Sequence, residues 1–600
     1  MSTYRAPLKE MQFVLDELAG LDQVGKLPGY EDATSDTVGA ILEEASKFAT
    51  NVLDPLNGPG DREGSTLLPD GTVKTPAGFK DAYRQFIENG WNGLTKNPDF
   101  GGQGLPQVVA TPVEEMWHSS NMAFDLCPLL TQGAIEAIEL VGTDEQKAPY
   151  LPKMVAGTWT GTMNLTEPQA GSDLAAVRTR AVPQPDGSFR LFGQKIFITY
   201  GEHDYTENIV HLVLARTPTA PEGVKGISLF IVPKFLVNAD GSIGARNDVH
   251  CVSLEHKLGI HASPTAVLAY GDKGGATGYL IGQENRGLEY MFIMMNQARF
   301  SVGMEGVGLS ERAYQRAVAF ARDRVQGKAV GMDRAHAAGP IIDHPDIRRM
   351  LMTMRAYTEA TRAVAYVTAA AIDNAHRHPD ADARKRHQAF VDLMIPIVKG
   401  WSTEVAQEVT YLGVQVHGGM GFIEETGAAQ HYRDARIITI YEGTTGIQAN
   451  DLIGRKTARD GGATARAVAA DIDRLAARLA SHGDAALREM GLRLAAATAA
   501  LQAAIEWMVP TYGSNVRAAH AAAVPYLKLW GLVAGGWQMG RAALIATESL
   551  AKSEGDIGFL RAKIATARFY AECLLPQAEG YSQAITEGSD TVLALAADQF

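Results

Sequence analysis

Hydrophobic residues recur at three- and four-residue spacing over much of the first 158 residues. The stretches TVGAILEEASKFATNVLDPL and AGFKDAYRQFIENGW show the pattern most clearly. Because an α-helix completes a turn about every 3.6 residues, this spacing puts the apolar side chains on one face of a helix. Segments rich in proline and glycine, NGPGDREGS and NPDFGGQGLPQ, interrupt the pattern. The sequence therefore predicts an N-terminal helical domain over residues 1–158.

The spacing changes between residues 159 and 285. The runs GSFRLFGQKIFITY, IVHLVLART and GISLFIVPK are short, rich in β-branched and aromatic residues, and bounded by glycine, proline, aspartate or asparagine. They predict a compact β-domain inserted into a helical protein. Helical spacing resumes in GLEYMFIMMNQARFSVGMEGVGLSERAYQRAVAFARDR and continues to Lys456, which predicts a helical bundle over residues 286–456.

Residues 457–600 are rich in alanine, as in DIDRLAARLASHGDAALREMGLRLAAATAALQAAIEWM. Alanine has the highest helix propensity, so this part is predicted to form a further helical domain. It is close to neutral, with 13 lysine and arginine residues against 14 aspartate and glutamate residues. The predicted fold class is thus mainly α with an inserted β-domain and an extra C-terminal helical domain.

Composition narrows the class of protein. The chain has 600 residues, a 46% hydrophobic fraction and a net charge of -13, which suits a multi-domain globular protein and disfavours a broad nucleic-acid interface. Its three cysteines, Cys127, Cys251 and Cys573, are far apart, so we expect neither a disulfide framework nor a zinc site. No apolar run suits a membrane span and no targeting segment is recognisable, so a cytoplasmic location is expected. No metal site is predicted.

One carboxylate stands alone in the stretch IITIYEGTTGIQANDLIGRK, residues 437–456. Glu442 follows an apolar run, and the next acidic residue is Asp451. Removing a charged group from water costs several kcal/mol unless something compensates. Glu442 therefore lies either on an exposed turn or in a site where its basicity is raised for a function.

Two polar, glycine-containing segments are ambiguous by themselves. TEPQAGSD fits a surface loop whose side chains bond its own backbone, and QVHGGMGF fits a simple break between helices. Either segment can instead hold a ligand, because a backbone without Cβ atoms permits close approach.

Taken together, two distant stretches resemble the acyl-CoA dehydrogenase family. The first is MNLTEPQAGSDLAAVRTRA (163–181) with FITYG (197–201), and the second is QVHGGMGFIEETGAAQHYRDARIITIYEGTTGIQ (415–448). The resemblance covers roughly residues 40–456 in order. It implies an N-terminal helical domain, a middle β-barrel-like domain and a helical bundle. It also implies bound FAD, α,β-desaturation of an acyl-CoA thioester, and electron-transfer flavoprotein as the electron acceptor.

The resemblance also assigns roles around the flavin ring. Leu165 and Thr166 match residues at the polar edge of the isoalloxazine, and Thr199 matches a hydroxyl near flavin N5. Phe197 stands where the family commonly has a tryptophan that covers one face of the ring. Ser172 matches the serine beside the thioester and the pantetheine arm.

Further matches concern the rest of FAD. Gln415 and Gly419 match positions that approach the dinucleotide, and Thr444 matches one at its pyrophosphate. Arg324 matches an arginine that meets the pyrophosphate of a neighbouring subunit's FAD, a role that suits the planar guanidinium. The segment around Arg324 is one residue shorter than is usual in the family.

Glu442 matches the family's catalytic base. Gly443 lets its loop approach substrate and cofactor, and Arg299 is expected to order that loop. One branch of the family carries the base immediately before this arginine instead. That position is Ala298 here, so Glu442 has no rival there; Glu305, further along the same helix, is interpreted as a charge on the helix surface.

Chain length and the alanine-rich C-terminal region are typical of a large bacterial subgroup of the family. The substrates of that subgroup include 3-methylmercaptopropionyl-CoA and a broad range of fatty acyl-CoAs. Large family members with such an additional C-terminal domain tend to be dimers, so a homodimer is expected. One alternative is an acyl-CoA oxidase that returns electrons to oxygen. An alternative of another class is a flavin-bearing nucleic-acid-binding protein, which the near-neutral C-terminal region and the intact Glu442 disfavour.

Overall fold

A computed structural model describes residues 3–331 and 338–600 of the chain. They form two compact units. The first, here called the bundle unit, comprises Met1–Ser46, Pro106–Ser119 and Val302–Phe600; the second, the sheet unit, comprises Lys47–Leu105 and Ser120–Ser301. Each unit is therefore assembled from segments that are separated in sequence.

Helices dominate the described residues. They are α1 (Leu8–Phe13), α2 (Leu21–Val24), α3 (Ser35–Phe48), α4 (Asp54–Glu63), α5 (Phe79–Glu88), α6 (Gln107–Val141), α7 (Asp144–Val155), α8 (Gly287–Asp323), α9 (Pro345–Arg377), α10 (Ala381–His417), α11 (Ala428–Ile438), α12 (Thr445–Asp451), α13 (Ala463–Ala480), α14 (Ala485–Ser514), α15 (Val516–Ala521), α16 (Ala523–Ala551), α17 (Ile557–Phe569), α18 (Gln577–Glu587) and α19 (Ser589–Val592).

The strands all lie in the sheet unit. They are β1 (Thr66–Leu67), β2 (Val73–Lys74), β3 (Trp159–Asn164), β4 (Arg180–Pro183), β5 (Phe189–Thr199), β6 (Asn208–Ala215), β7 (Ser228–Pro233), β8 (Phe235–Val237), β9 (Ile243–Arg246), β10 (Val249–Leu254), β11 (Thr265–Tyr270) and β12 (Ala276–Leu280).

An eight-stranded sheet forms the centre of the sheet unit. Its order is β10-β11-β5-β12-β7-β6-β3, with β4 paired to β5. Neighbouring strands run antiparallel except β3 and β6, which are parallel. Strands β3, β6, β7 and β11 are buried along their whole length, as expected of β-rich runs that are covered on both faces. The inserted β-domain predicted from the spacing is confirmed.

The bundle unit is built around the long helices α9 and α10, which pack along each other, and α16 packs against both. Close approach is possible because Gly531 of α16 faces the indole of Trp401 in α10: a Cβ on Gly531 would lie 2.0 Å from its Cγ. The alanine-rich region is helical, as predicted, and it packs as part of this unit. The fold class is confirmed, whereas the ranges given for the four domains stay predictions.

A buried charge cluster joins three distant segments of the bundle unit. The Lys563 ammonium, in α17, donates to carboxylates of Glu10 in α1 and of Glu359 in α9, the latter at 2.6 Å. Arg355 donates to the other oxygen of Glu359 at 2.7 Å. Glu10, Glu359 and Lys563 are all buried, so their charges depend on one another for compensation.

Within the described ranges, none of the helices combines the length and the low charge that crossing a membrane would require.

Candidate active site

The TEPQAGSD loop packs along strand β5 of the sheet unit. The Ile196 N–H donates to the carbonyl of Thr166 at 2.9 Å, and the Lys195 ammonium donates to the carbonyl of Leu165 at 2.9 Å. The loop that carries Leu165 and Thr166 is thereby fixed beside the end of β5, where Phe197 lies. Two motifs separated in sequence are brought together by these contacts.

Glu167 and Lys195 form a buried ion pair that sequence reasoning missed. Glu167 Oε1 accepts from Lys195 Nζ at 2.8 Å and from the Thr179 hydroxyl at 2.6 Å, and Oε2 accepts from the Arg178 N–H at 2.8 Å. Burial alone would raise the pKa of Glu167, but the Lys195 charge and these hydrogen bonds hold it at about 2. Burial lowers the pKa of Lys195 and the charge of Glu167 raises it, and the net pKa is about 8. The pair therefore fixes the loop.

Phe197 combines an unusual backbone with an exposed ring. Its φ is 59°, in the left-handed region, and its side chain is 58% exposed. The left-handed region costs a residue with a Cβ about 1–2 kcal/mol, and such strain tends to persist where function requires it. The next predicted residue, Thr199, ends β5 and is half-buried, and Ser172 is exposed on the TEPQAGSD loop. The loop and strand thus present an uncovered aromatic ring next to polar groups.

In the bundle unit, Glu442 lies in the loop between α11 and α12. Its φ is 53° and it is half-buried. Gly443 follows with a φ of 86°, and a Cβ there would lie 2.7 Å from Gln448 Nε2. The left-handed turn favours glycine at position 443, and a Cβ there would displace the Gln448 amide that holds the loop. Glu442 is one of six described residues other than glycine with a positive φ, and Phe197 is another.

Three side chains hold the Glu442 loop. Lys399 of α10 donates to the carbonyls of Ile438 at 2.7 Å and Gly443 at 2.8 Å. Gln448 Nε2 donates to the carbonyls of Glu442 and Gly443, both at 3.2 Å. The Thr444 hydroxyl caps α12 by accepting from the Ile447 N–H at 3.2 Å. The backbone is therefore fixed at Ile438, before Glu442, and at Glu442 and Gly443 themselves.

The glycines after α10 differ in whether the chain's own packing requires a residue without a side chain. A Cβ on Gly421 would lie 2.3 Å from the carbonyl oxygen of Val414, so the chain's own packing demands glycine there. A Cβ on Gly419 would meet no described atom within 4 Å. Gln415 is exposed on the last turn of α10. Gly419 and Gln415 therefore face open space, and the chain's own packing does not explain the glycine at 419.

The two arginines from the sequence analysis differ in exposure. Arg324 is exposed just after the end of α8, and its Nη2 lies 3.4 Å from Gln326 Oε1. Arg299 is buried within α8. Arg299 belongs to the sheet unit with Leu165, Thr166, Ser172, Phe197 and Thr199, and Arg324 to the bundle unit with Gln415, Gly419, Glu442, Gly443 and Thr444. The roles expected of all these residues stay predictions.

The interpretation of Glu305 as a charge on the helix surface is wrong. Glu305 is completely buried, and its Oε2 accepts a hydrogen bond from the hydroxyl of Tyr441, the residue before Glu442. Small residues let α8 approach α10 here: a Cβ on Gly306 would lie 2.6 Å from the carbonyl oxygen of Ser402. The available signal was a lone charge among glycines and apolar residues, in SVGMEGVGLS.

Comparison with known proteins covers nearly the whole chain. Family models match as follows: "Acyl-CoA dehydrogenase, N-terminal domain" residues 35–158, "Acyl-CoA dehydrogenase, middle domain" residues 162–272, "Acyl-CoA dehydrogenase, C-terminal domain" residues 285–456, and "Acetyl-CoA dehydrogenase C-terminal like" residues 465–596.

Relatives match over full length. The chain is 52% identical to a 3-methylmercaptopropionyl-CoA dehydrogenase of Ruegeria pomeroyi, over 98% of this chain and 99% of the relative. It is 35% identical to a broad-specificity linear acyl-CoA dehydrogenase of Mycobacterium tuberculosis, over 96% of each. An acyl-CoA dehydrogenase of Bacillus anthracis, solved in complex with FAD, superimposes with a TM-score of 0.73 at 22% identity, covering 97% of this chain and 93% of that one. The chain therefore belongs to the acyl-CoA dehydrogenase family and is an oxidoreductase of that class.

Proposed function

We propose that the chain desaturates an acyl-CoA thioester between its α- and β-carbons, with Glu442 as the base that removes the α-proton. FAD, when bound, supplies the acceptor for the hydride that leaves the β-carbon, at flavin N5. The observation that carries the proposal is the Glu442 loop: a carboxylate in a left-handed backbone conformation, whose loop is held by Lys399 and Gln448. The proposed next electron acceptor is electron-transfer flavoprotein.

A fixed carboxylate suits this chemistry. A general base must reach its proton within hydrogen-bond distance, so its backbone must be held in place before substrate binds. The Gln448 contacts to the carbonyls of Glu442 and Gly443, and the Lys399 contact to the carbonyl of Gly443, hold the backbone at 442 and 443 through carbonyl oxygens. The backbone N–H of Glu442 is the proposed donor to the thioester oxygen, where negative charge develops.

Each unit offers features that suit part of a flavin dinucleotide. The exposed ring of Phe197 offers an apolar face to a flat aromatic group, and Gly419 leaves space where a side chain would otherwise project. The residues proposed to hold FAD are Leu165, Thr166, Phe197, Thr199, Arg324, Gln415, Gly419 and Thr444. Ser172 is the proposed contact to the thioester arm, and Arg299 is proposed to order the base loop.

Phe197→Gly is expected to stabilise the FAD-free protein yet weaken FAD binding. Glycine removes the left-handed strain, about 1 kcal/mol, but also removes an apolar face whose burial is worth about 1.5–3 kcal/mol, or roughly 10- to 100-fold in affinity. Thermal unfolding of the FAD-free protein and titration with FAD measure the two effects.

Ser553→Gly is the matched control for Phe197→Gly, because Ser553 is exposed and has a φ of 60° in the C-terminal helical region. It should relieve strain and leave FAD affinity unchanged. Equal FAD affinity in Phe197→Gly and the wild-type protein would show that the ring does not contact the flavin.

The proposed substrate is 3-methylmercaptopropionyl-CoA or a broad range of fatty acyl-CoAs. The 52% identical relative is named for the first, and the 35% identical relative for broad specificity with linear chains. A panel of acyl-CoAs, mixed anaerobically with the FAD-loaded protein, tests this by bleaching of the flavin absorbance. Fast bleaching by 3-methylmercaptopropionyl-CoA alone supports the narrow specificity, and similar rates across linear chains support the broad one. Absence of bleaching by every thioester would contradict the proposed desaturation.

The acceptor is tested in the same assay. A dehydrogenase should turn over rapidly with electron-transfer flavoprotein and form little peroxide in air. Rapid peroxide formation without that acceptor would favour the oxidase instead. Salt-sensitive DNA binding at physiological salt would favour the nucleic-acid-binding alternative.

We also propose a homodimer. Large apolar side chains are exposed around the turn after α10 and along α11: Met420, Phe422, Ile423 and Tyr432, of which Phe422 is 87% exposed. A cluster of exposed large apolar side chains in one stretch of chain commonly marks an interface between subunits. Arg324, proposed to reach a neighbouring subunit's FAD, requires such an assembly. Light scattering gives the mass, and a monomeric FAD-loaded enzyme would contradict the proposal.

A further inference from the structure

Glu305 is a buried carboxylate that the proposed reaction does not use. It lies in α8 with its whole side chain removed from solvent, and its Oε2 accepts the Tyr441 hydroxyl. Its other oxygen, Oε1, has no hydrogen-bond partner among the described residues. A buried carboxylate with one unused oxygen is costly, so its presence beside the base loop calls for a functional explanation.

Tyr441 transmits this contact to the base. Its backbone N–H donates to the carbonyl of Ile437 at 3.1 Å, and its hydroxyl reaches Glu305. Tyr441 is therefore held at its backbone and at the tip of its side chain. Since Glu442 follows immediately with a left-handed φ, fixing Tyr441 fixes the residue directly before the turn. Lys399 and Gln448 hold the carbonyls of Ile438, Glu442 and Gly443 on either side of it.

We propose that Glu305 is a positioning residue for the catalytic base, acting through the Tyr441 hydroxyl, and that ionisation of Glu305 tightens the loop that carries Glu442. The inference rests on the proposed role of Glu442 as the base. It gives the reaction, in addition to Glu442, a second ionisable group whose charge affects the rate, and this group lies in α8.

Several charged or titratable groups face Glu305. They are Glu114 and His118 of α6, Lys399 of α10, and Tyr441. Burial raises the pKa of Glu305 to about 7; His118, the Tyr441 hydrogen bond and Lys399 oppose that rise, and Glu114 adds to it. Glu305 therefore changes charge near neutral pH.

The sign of the pH effect follows from the hydrogen bond. An ionised carboxylate accepts the Tyr441 hydroxyl more strongly than a neutral carboxylic acid does. Raising the pH through about 7 therefore tightens the base loop. The same ionisation weakens the fold: between the ordinary value of 4.5 and about 7 the folded chain retains a proton that the unfolded chain has lost, so stability falls as the pH rises across this range.

The test uses the FAD-loaded enzyme and four variants. Glu305→Gln keeps an acceptor for Tyr441 but cannot ionise, Glu305→Leu removes the acceptor, and Tyr441→Phe removes the donor. Tyr366→Phe is the matched control, because the Tyr366 hydroxyl also donates to a buried carboxylate in the same unit, at 2.7 Å, but to Glu115 rather than to Glu305.

The first readout is infrared difference spectroscopy over a pH titration. The wild-type enzyme should lose the band of a protonated buried carboxyl with a midpoint near 7, and both Glu305 variants should lack that component. Tyr441→Phe should move the midpoint upward, because the hydroxyl that favours the ionised form is gone. Tyr366→Phe should leave it unchanged. A wild-type spectrum without this component would overturn the inference.

The second readout is the rate of anaerobic flavin bleaching at saturating acyl-CoA. Glu305→Gln should remove the inflection near pH 7. Glu305→Leu and Tyr441→Phe should lower the limiting bleaching rate about 10- to 100-fold, with little change in the acyl-CoA concentration that half-saturates it, as expected for loss of a hydrogen bond to a charged group. Tyr366→Phe should bleach at the wild-type rate. Equal losses of bleaching rate in Tyr366→Phe and Tyr441→Phe would mean that the Tyr441–Glu305 hydrogen bond contributes only to general stability. That result would overturn the inference. Failure of the wild-type enzyme to bleach at all would instead overturn the proposed function.

Discussion

Glu442→Gln should slow flavin bleaching by an acyl-CoA about 100- to 10,000-fold, the contribution typical of a positioned general base. Glutamine has nearly the same shape, so it preserves the loop, whose backbone is held by Lys399 and Gln448 through carbonyl oxygens. It cannot accept the α-proton. The variant should therefore keep its yellow FAD and bind acyl-CoA, and lose only the chemical step.

Stopped-flow absorbance under anaerobic conditions measures this rate, and the change in the flavin spectrum on adding acyl-CoA measures binding. Glu425→Gln is a suitable control, because Glu425 is exposed in the turn before α11. It should bleach at the wild-type rate. A Glu442→Gln enzyme that bleaches nearly as fast as the wild type would mean that another group removes the proton.

Lys563→Met should destabilise the bundle unit by about 3–5 kcal/mol, the usual effect of removing one partner from a buried ion cluster. Methionine fills a similar volume, so the loss is mainly electrostatic. Without the ammonium, Glu10 loses its direct charged contact and Glu359 retains Arg355. Two buried carboxylates then face each other with less compensation. Denaturant unfolding monitored by circular dichroism gives the change in free energy.

Lys9→Met provides a control for this prediction, since Lys9 pairs with Asp556 at 2.6 Å close to the same segments but with 74% of its side chain exposed. An exposed pair contributes about 1 kcal/mol or less. Similar losses in the two variants would show that burial does not set the strength of the Lys563 cluster.

Periodicity and composition were sufficient to predict the fold class. Apolar spacing depends on the local helix or strand, so the β-rich runs around Phe197 and the alanine-rich C-terminal region could be recognised without knowing their neighbours. Glu442 was found because a lone carboxylate stood at the end of an apolar run, within a motif shared with a known family.

The groups that support Glu442 could not be predicted in the same way. Lys399 and Glu305 also interrupt apolar runs, but whether such a charge faces solvent depends on which helix covers it. For Glu305 this was decided by the close approach of α8 to α10 at Gly306, a contact between positions almost a hundred residues apart. Lys195 likewise acquired its partner only when the loop containing Glu167 folded back along β5. Local sequence does not contain that information.

The Lys563 cluster constrains the order in which segments can fold during synthesis. Glu10 leaves the ribosome more than five hundred residues before its neutralising ammonium, Lys563, is translated. The segments of the sheet unit, which end at Ser301, are complete long before that moment. Since domains generally fold as units while the chain elongates, the N-terminal helix can bury Glu10 against its ammonium only after α17 has emerged.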